Sequence, residues 1–418
     1  MSAVASVPDM TTSTVPLRPQ GRVHIIGAGP VGLFLAALLQ GVEGQRVRLY
    51  ERRSEYTRTR MVSLAKYLVA DSIESYKEDE IDGQDVEALF DPVELQTRLA
   101  YRSTVAPDLR ALLEEWARGF VPLNVVEHRL SELIEARDTG TVERVSGTIG
   151  AEEALEKLEP GDMVVDCTGT RSLMRDLLLP GADLEVPGRN TQSFHLEHAL
   201  VITFLYGQHY ECNEYCKYYK NLESTGYKFI PAVNRTCYED GITHVTGIVS
   251  ISQEEFEAMP PRFDGDWLRE HYPQVAVSMD NFINRVRMET NGELVGDLEI
   301  IRIPLNLYRA RNATSRRWDT AETSDHPLAT TPVFLAGDAA IGSPYFQSIS
   351  LGFECAMFLA GLIARPQLSR QDMFDRYELF MYKQWLGVYM QSKMLKNNKD
   401  LFQLLDDPIA LLDKLHIY

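Results

Sequence analysis

One stretch near the start of the chain, VHIIGAGPVGLFLAALL, restricts the fold more than any other. Its apolar, partly β-branched run from Val23 to Ile26 has the length of a buried strand, and it turns through Gly27, Gly29 and Gly32 into a series of good helix formers. The spacing has a mechanical reading. Gly27 permits a tight turn, Gly29 lets backbone approach a pyrophosphate, and Gly32 lets the helix pack close on the strand. The helix N-terminus then faces the phosphates. A glycine-rich turn alone would fit many strand–helix units. Here a second strand-like run, Arg46 to Tyr50, ends in Glu51 about 20 residues on, where an acid accepts hydrogen bonds from an adenine nucleotide's ribose. Strand, loop, helix, strand and acid in that order predict a dinucleotide site.

That motif does not separate NAD from FAD, but a late stretch, VFLAGDAAIGSPYFQSISLGFEC, does. An apolar run from Val333 to Ala336 ends in Gly337 and Asp338, followed by Pro344, Tyr345, Phe346 and a helix-like segment. An acid where a buried strand emerges is set to accept hydroxyl hydrogen bonds from a ligand. FAD carries a ribityl chain whose hydroxyls need acceptors. Asp338 suits them, with backbone N–H groups after Pro344 facing the flavin's polar edge.

The set GAGPVG with Glu51, ERRSEYTRTRMVSL, GDMVVDCTGTRSLMR and VFLAGDAA, in that order, resembles the single-chain (class A) flavoprotein monooxygenases of the p-hydroxybenzoate hydroxylase type. RTRMVSLA with PYFQSISLGFEC is most similar to kynurenine 3-monooxygenase and its relatives. The resemblance implies an α/β fold: a Rossmann-like FAD-binding domain, an inserted β-sheet substrate domain and C-terminal helices. Carried over residue by residue, Gly27, Gly29 and Gly32 hold the pyrophosphate, Glu51 the adenosine ribose, Asp338 beside Gly337 the ribityl chain, and Arg60 an FAD phosphate, for which a guanidinium is the preferred fork. Gly169 and Pro344 complete the cofactor set, and Tyr345 and Phe346 are pocket residues whichever substrate is used.

The chain departs from that family in three places. Thr168 and Gly169 stand where an Asp-Gly pair helps hold FAD and NADPH, while Gly169 and Arg175 remain. Ile341 stands where most relatives have His, and Gln347, Ser348, Ile349 and Ser350 replace a glycine-rich flavin loop, so a reshaped loop is expected. The family arginine on the helix before the third strand has no clear match, and Arg98, Arg102 and Arg110, around the helical segment DLRALLEEWARG, are its candidates.

At 418 residues two packed regions with extra helices are expected: a leader over 1–20, FAD-binding parts over 21–182 and 301–365, a mainly β substrate domain over 183–300, and a helical region over 366–418. The middle holds β-like runs such as HALVITFLYG and ITHVTGIVSIS, read as a sheet laid over the flavin. His195 and His198, three apart on such a strand, are expected on opposite faces. The formal charge of −18 argues against a nucleic-acid binder. Five cysteines form no disulfide or metal framework, and no apolar stretch is long enough to span a bilayer. A cytoplasmic enzyme is therefore expected. The reaction the resemblance implies is insertion of one oxygen atom from O2 into an aromatic or polyene small molecule through a flavin C4a-hydroperoxide, in a biosynthetic pathway, with NADPH or NADH as reductant. The alternatives are a two-component enzyme fed reduced flavin by a partner reductase, which the Thr168 departure favours, and a non-catalytic binding protein on the same scaffold.

Overall fold

The computed structural model describes residues 21–58, 61–70, 72, 105–118, 120–137, 139–180, 188–207, 227, 229–236, 241–290, 292–318, 326–343 and 348–404. The expected leader over 1–20 therefore lies outside the described residues. So do Arg60, Arg98, Arg102, Pro344, Tyr345 and Phe346, together with Gln347, Cys212 and Cys216.

Five parallel strands build the first sheet: β1 (Val23–Ile26), β2 (Val47–Glu51), β5 (Val142–Ser146), β6 (Met163–Asp166) and β12 (Val333–Leu335). They stand in the order β12-β6-β1-β2-β5, every neighbouring pair parallel. Chain order reverses between β1 and β6, the point where open α/β sheets take their ligands. Strands β1, β6 and β12 are largely apolar and covered on both faces: every one of their residues is buried, and Val23, Ile25, Val164, Val165 and Phe334 fully so. Helix α1 (Pro30–Leu39) follows β1, and α2 (Pro107–Trp116) leads to the short strand β4 (Phe120–Pro122), which pairs antiparallel with β3 (Met61–Ser63). The helix that immediately precedes the third parallel strand is not α2 but α3 (Leu123–Arg137). A short α4 (Ala151–Glu156) joins β5 to β6.

The second sheet is antiparallel, with β7 (Thr191–Tyr206), β8 (Ile230–Thr236), β9 (Thr243–Ile251), β10 (Arg262–Phe263) and β11 (Leu294–Ala310) in the order β10-β11-β7-β9-β8. One face, through Leu200, Ile202, Phe204, Tyr206, Val245, Val249 and Ile300, encloses a second core with α6 (Gly265–His271) and α7 (Pro273–Thr290), helices preceded by the short α5 (Gln253–Ala258). Phe194, Leu196 and Leu307, near one end of the sheet, join the core of the nucleotide-binding half. The expected boundary at 300 falls inside β11, whose pairing with β7 runs on to Ala310.

The expectation that His195 and His198 lie on opposite faces is wrong. A β-bulge leaves Leu196 unpaired: Asn306 pairs His195, while Pro304 pairs His198. Since Pro304 and Asn306 are two apart and share a face, so do their partners. The two imidazoles pack with ring centroids 4.3 Å apart, and Phe256 lies 4.5 Å beyond His198.

After α8 (Pro327–Thr330) and β12 the chain forms the two-residue β13 (Ile341–Gly342), which pairs with Tyr308 and Arg309 of β11 and so ties the two sheets together. Helices α9 (Ser348–Ile363) and α10 (Arg370–Leu404) close the nucleotide-binding core. Helix α10 packs inward through Met373, Phe374, Tyr377, Phe380, Met381 and Trp385. Among the described residues no helix is long and apolar enough to cross a membrane.

Candidate cofactor cleft

Beyond the carboxyl ends of the parallel strands opens a cleft of about 480 Å³. Its wall takes Gly27 and Gly29 after β1, Glu51 at the end of β2, Gly147 to Ile149 after β5, Cys167 to Gly169 after β6, and Asp338 after β12. All five parallel strands therefore deliver residues to one place. Ser348 and Ile349 at the start of α9 close the far side.

The glycines have separate duties. Gly27 has φ +100°, and a Cβ there would lie 2.8 Å from the Cys167 carbonyl oxygen, so the turn between β1 and α1 passes too close to β6 for any side chain. Gly32 stands behind the cleft wall, where a Cβ would lie 2.0 Å from the Gly27 oxygen. Gly29 is different, since a Cβ there would meet only the guanidinium ends of Arg58 at 3.6 Å and Arg53 at 4.0 Å. Its backbone faces open cleft bordered by cations, at the N-terminus of α1, whose first turn carries no acid. Helix N–H groups, a bare backbone and guanidinium donors make a set suited to a phosphate.

Glu51 is partly buried. Arg53 grips both its oxygens from Nε and Nη2 at 3.1 and 3.0 Å, and the Arg53 N–H adds a third bond at 2.9 Å. Burial pushes the Glu51 carboxyl up, but these Arg53 bonds outweigh it and hold the group below its ordinary value. It is a charged acceptor at neutral pH.

Asp338 sits in a turn pinned on two sides. The Tyr308 hydroxyl donates to the Asp338 carbonyl at 2.6 Å, and Arg175 spans the gap, donating to the Ala339 and Thr170 carbonyls with its guanidinium 5.3 Å from the Tyr308 ring centre. Burial, and then the Asp338 carboxylate, push the Tyr308 phenol well up, so it keeps its proton. Gly342 makes room for that ring, since a Cβ there would lie 2.0 Å from it. Gly337, at φ +60°, backs the turn against Val31.

The departures from the family pattern now have positions. Thr168 lines the cleft, but its hydroxyl donates to Asp166 at 2.6 Å and accepts from the Leu173 N–H at 3.1 Å. Asp166, fully buried, also takes the Ser172 hydroxyl and the Thr168 and Met174 N–H groups, and so shapes the whole loop that carries Gly169. Ile341 is a core residue of β13. Ser350 turns away from the cleft to accept from the Ala65 N–H at 2.9 Å.

Arg110 is no cleft residue: it bonds Glu114 and the Val69 carbonyl. What α3 brings against the cleft arginines is an acid, Glu127, fully buried and paired with Arg58 and, at 3.5 Å, Arg53. Sequence reading missed it. The signal was an acid among Leu123, Val126, Leu130 and Ile134, all on one helical face. His195 and His198 lie on the antiparallel sheet and do not line the cleft. Among the described residues no cluster suits a metal.

No protein-family model matches the chain, and no curated protein does. Solved structures to which it is similar include the flavin-dependent halogenase CmlS, at 15% identity and a TM-score of 0.48 over 89% of this chain and 63% of that one. The tetracycline destructase Tet(51) shares 12% identity at 0.48, over 95% of each chain. The tetrameric form of 2-methyl-3-hydroxypyridine-5-carboxylic acid oxygenase shares 11% at 0.49, over 94% of each. The chain thus spans less than two thirds of the halogenase, and at these values the likeness carries no argument about chemistry, which rests on the cleft itself.

Proposed function

We propose that the cleft binds FAD and that the chain is a flavin-dependent monooxygenase of the single-chain type. The observation that carries the reading is the presence of two strand-end acids, Glu51 and Asp338, in one cleft with a bare helix N-terminus and its arginines. FAD has the matching order of groups: ribose hydroxyls, pyrophosphate, ribityl hydroxyls. Glu51 would take the ribose, Gly29 and the first turn of α1 the phosphates, Asp338 the ribityl chain, and Gly169 with the Thr168 loop would border them. Bound there, the flavin supplies the redox chemistry, including activation of O2 and transfer of one oxygen atom to an electron-rich aromatic or polyene substrate. The protein's part is to orient and to exclude water. Tyr308 and Arg175 hold the turn that presents Asp338, and β13 ties the antiparallel sheet to the chain just beyond that turn. The narrower likeness to kynurenine 3-monooxygenase rests on the quoted motifs alone, as do Arg60, Pro344, Tyr345 and Phe346.

The Thr168 loop favours a second reading for the reductant. Its hydroxyl is consumed within its own loop by Asp166 and Leu173, so no carboxylate stands there for a nicotinamide nucleotide. On that reading reduced flavin, or electrons, come from a partner reductase. Anaerobic titration of the purified protein with NADPH and NADH, with and without candidate phenols, indoles and polyenes, decides. Bleaching of the flavin band speaks for a self-sufficient enzyme. A band bleached by dithionite alone speaks for a partner, and no band after added FAD sinks the flavin reading in favour of a binding protein.

A further inference from the structure

The segment between β2 and β3 gives the cleft its cations, and α3 holds that segment from behind. The Asn124 N–H donates to the Arg58 carbonyl at 2.8 Å. Glu127 Oε1 pairs with the Arg58 guanidinium, and His128 meets the Tyr56 ring edge-on at 5.4 Å. One helix thus fixes residues 56–58 by main chain, charge and ring. Glu127 is fully buried, and its Oε2 has no partner. A carboxylate so placed is costly to bury unless guanidinium partners offset it.

The two arginines are not equivalent. Arg53 is committed to Glu51 by its fork and reaches Glu127 only at 3.5 Å. Arg58 gives Glu127 one terminal nitrogen, the one that a Cβ on Gly29 would meet at 3.6 Å, and 42% of its side chain is exposed. A guanidinium has five N–H donors in a rigid fork, so Arg58 keeps donors beside the bare backbone of Gly29. A long side chain on a turn otherwise loses rotamer freedom when it binds an anion, and an anchor on a helix removes most of that loss.

We infer that Glu127 is a positioning residue: it holds Arg58 as the guanidinium fork for the dinucleotide's pyrophosphate, beside Gly29. The inference rests on the FAD reading above and assigns to Arg58 the role that the resemblance gives to Arg60. Its claim is specific because the charge of Glu127 by itself repels phosphate. An anchor and a competitor therefore predict opposite signs.

The test is the affinity of FAD, of ADP and of phosphate-free adenosine for the wild type, Arg58→Gln, Glu127→Gln and the double variant, by calorimetry and flavin fluorescence. Each single change should weaken FAD and ADP roughly 10-fold, the worth of a charge-assisted phosphate contact, and leave adenosine unchanged. The double variant should be no weaker than Arg58→Gln. It leaves no buried charge unpaired, so it reports on a folded protein even where Arg58→Gln alone unfolds. Equal or tighter ADP binding by Glu127→Gln overturns the inference, as does a Glu127 loss that adds in full to that of Arg58→Gln. A wild type that binds neither FAD nor ADP removes the FAD reading itself, whereas normal wild-type binding with indifferent variants removes only the role of Glu127.

Discussion

Two acids and a handful of glycines decide whether the cleft can do its work. Asp338→Ala should leave the fold intact, because the turn is held through the Asp338 carbonyl and Ala339 by Tyr308 and Arg175. It should nevertheless purify with much less FAD, measured as the ratio of flavin to protein absorbance. A variant with a full flavin complement would end the ribityl assignment. The glycines should part company. Gly32→Ala drives a methyl to within 2.0 Å of a backbone oxygen and should cost about 3 kcal/mol and the cofactor site. Gly169→Ala meets nothing within 4 Å and should cost only the left-handed backbone strain, about 1 kcal/mol. Urea unfolding of the two variants checks the order. At this scale the sequence was informative about position where a residue stands at a strand end or tight turn, as at Gly27, Gly29, Glu51 and Asp338, which the fold brings to one cleft. Glu127 was harder to foresee, because its partners Arg53 and Arg58 lie about 70 residues away in the chain, whereas the partners of Asp166 are local and only its burial was hidden.

A buried hydrogen-bond line crosses the parallel sheet at the element scale. His24 in β1, 1% exposed, meets the Tyr50 hydroxyl of β2 at 3.0 Å and Asp162, just before β6, at 3.0 Å. Burial lowers the His24 pKa below its usual 6.5 against the opposing pull of Asp162. The unfolded histidine therefore takes up a proton as the pH falls through about 6.5, while the folded one stays neutral. The stability this contributes is present above that pH and is lost below it. Thermal melts between about pH 7.5 and 5.5 should show the wild type falling, and His24→Phe should start lower and run flatter. An equal slope in both would show that His24 is not the titrating group. Elements with a strong local signal, such as the continuous apolar runs of β1 and β12 and the apolar periodicity of α10, were legible from their patterns. The bulge at Leu196 was not, because a strand's alternation carries no mark of the extra residue until its partner strand is known, and with it went the relative placing of His195 and His198. Helix α3 escaped because an acid interrupts its apolar stripe.

The whole molecule closes from its C-terminal end. Tyr377 of α10 is fully buried and donates to the Leu335 carbonyl at 2.7 Å, so the last long helix holds the end of β12, two residues before the turn that carries Asp338. Tyr377→Phe leaves that carbonyl unpaired and should cost about 1–3 kcal/mol in chemical unfolding, with faster flavin loss as the sign that the strand end has loosened. A change in stability with unaltered flavin release would confine the helix to a packing role. The two-sheet plan was legible because the strand–loop–acid units are local. The tie through β13 was not, since two residues carry no pattern of their own. The strand order also has a consequence for the birth of the protein. On a ribosome adding roughly 5–20 residues per second, β6 emerges about 170 residues before its neighbour β12, so one edge of the central sheet waits on the order of 10–30 s for its partner. During that interval the chain presents an unsatisfied row of amide groups and a cleft without Asp338. On the FAD reading, capture of the cofactor is then a late event that waits for β12, and a nascent chain stalled before Val333 would be a ready client for chaperones.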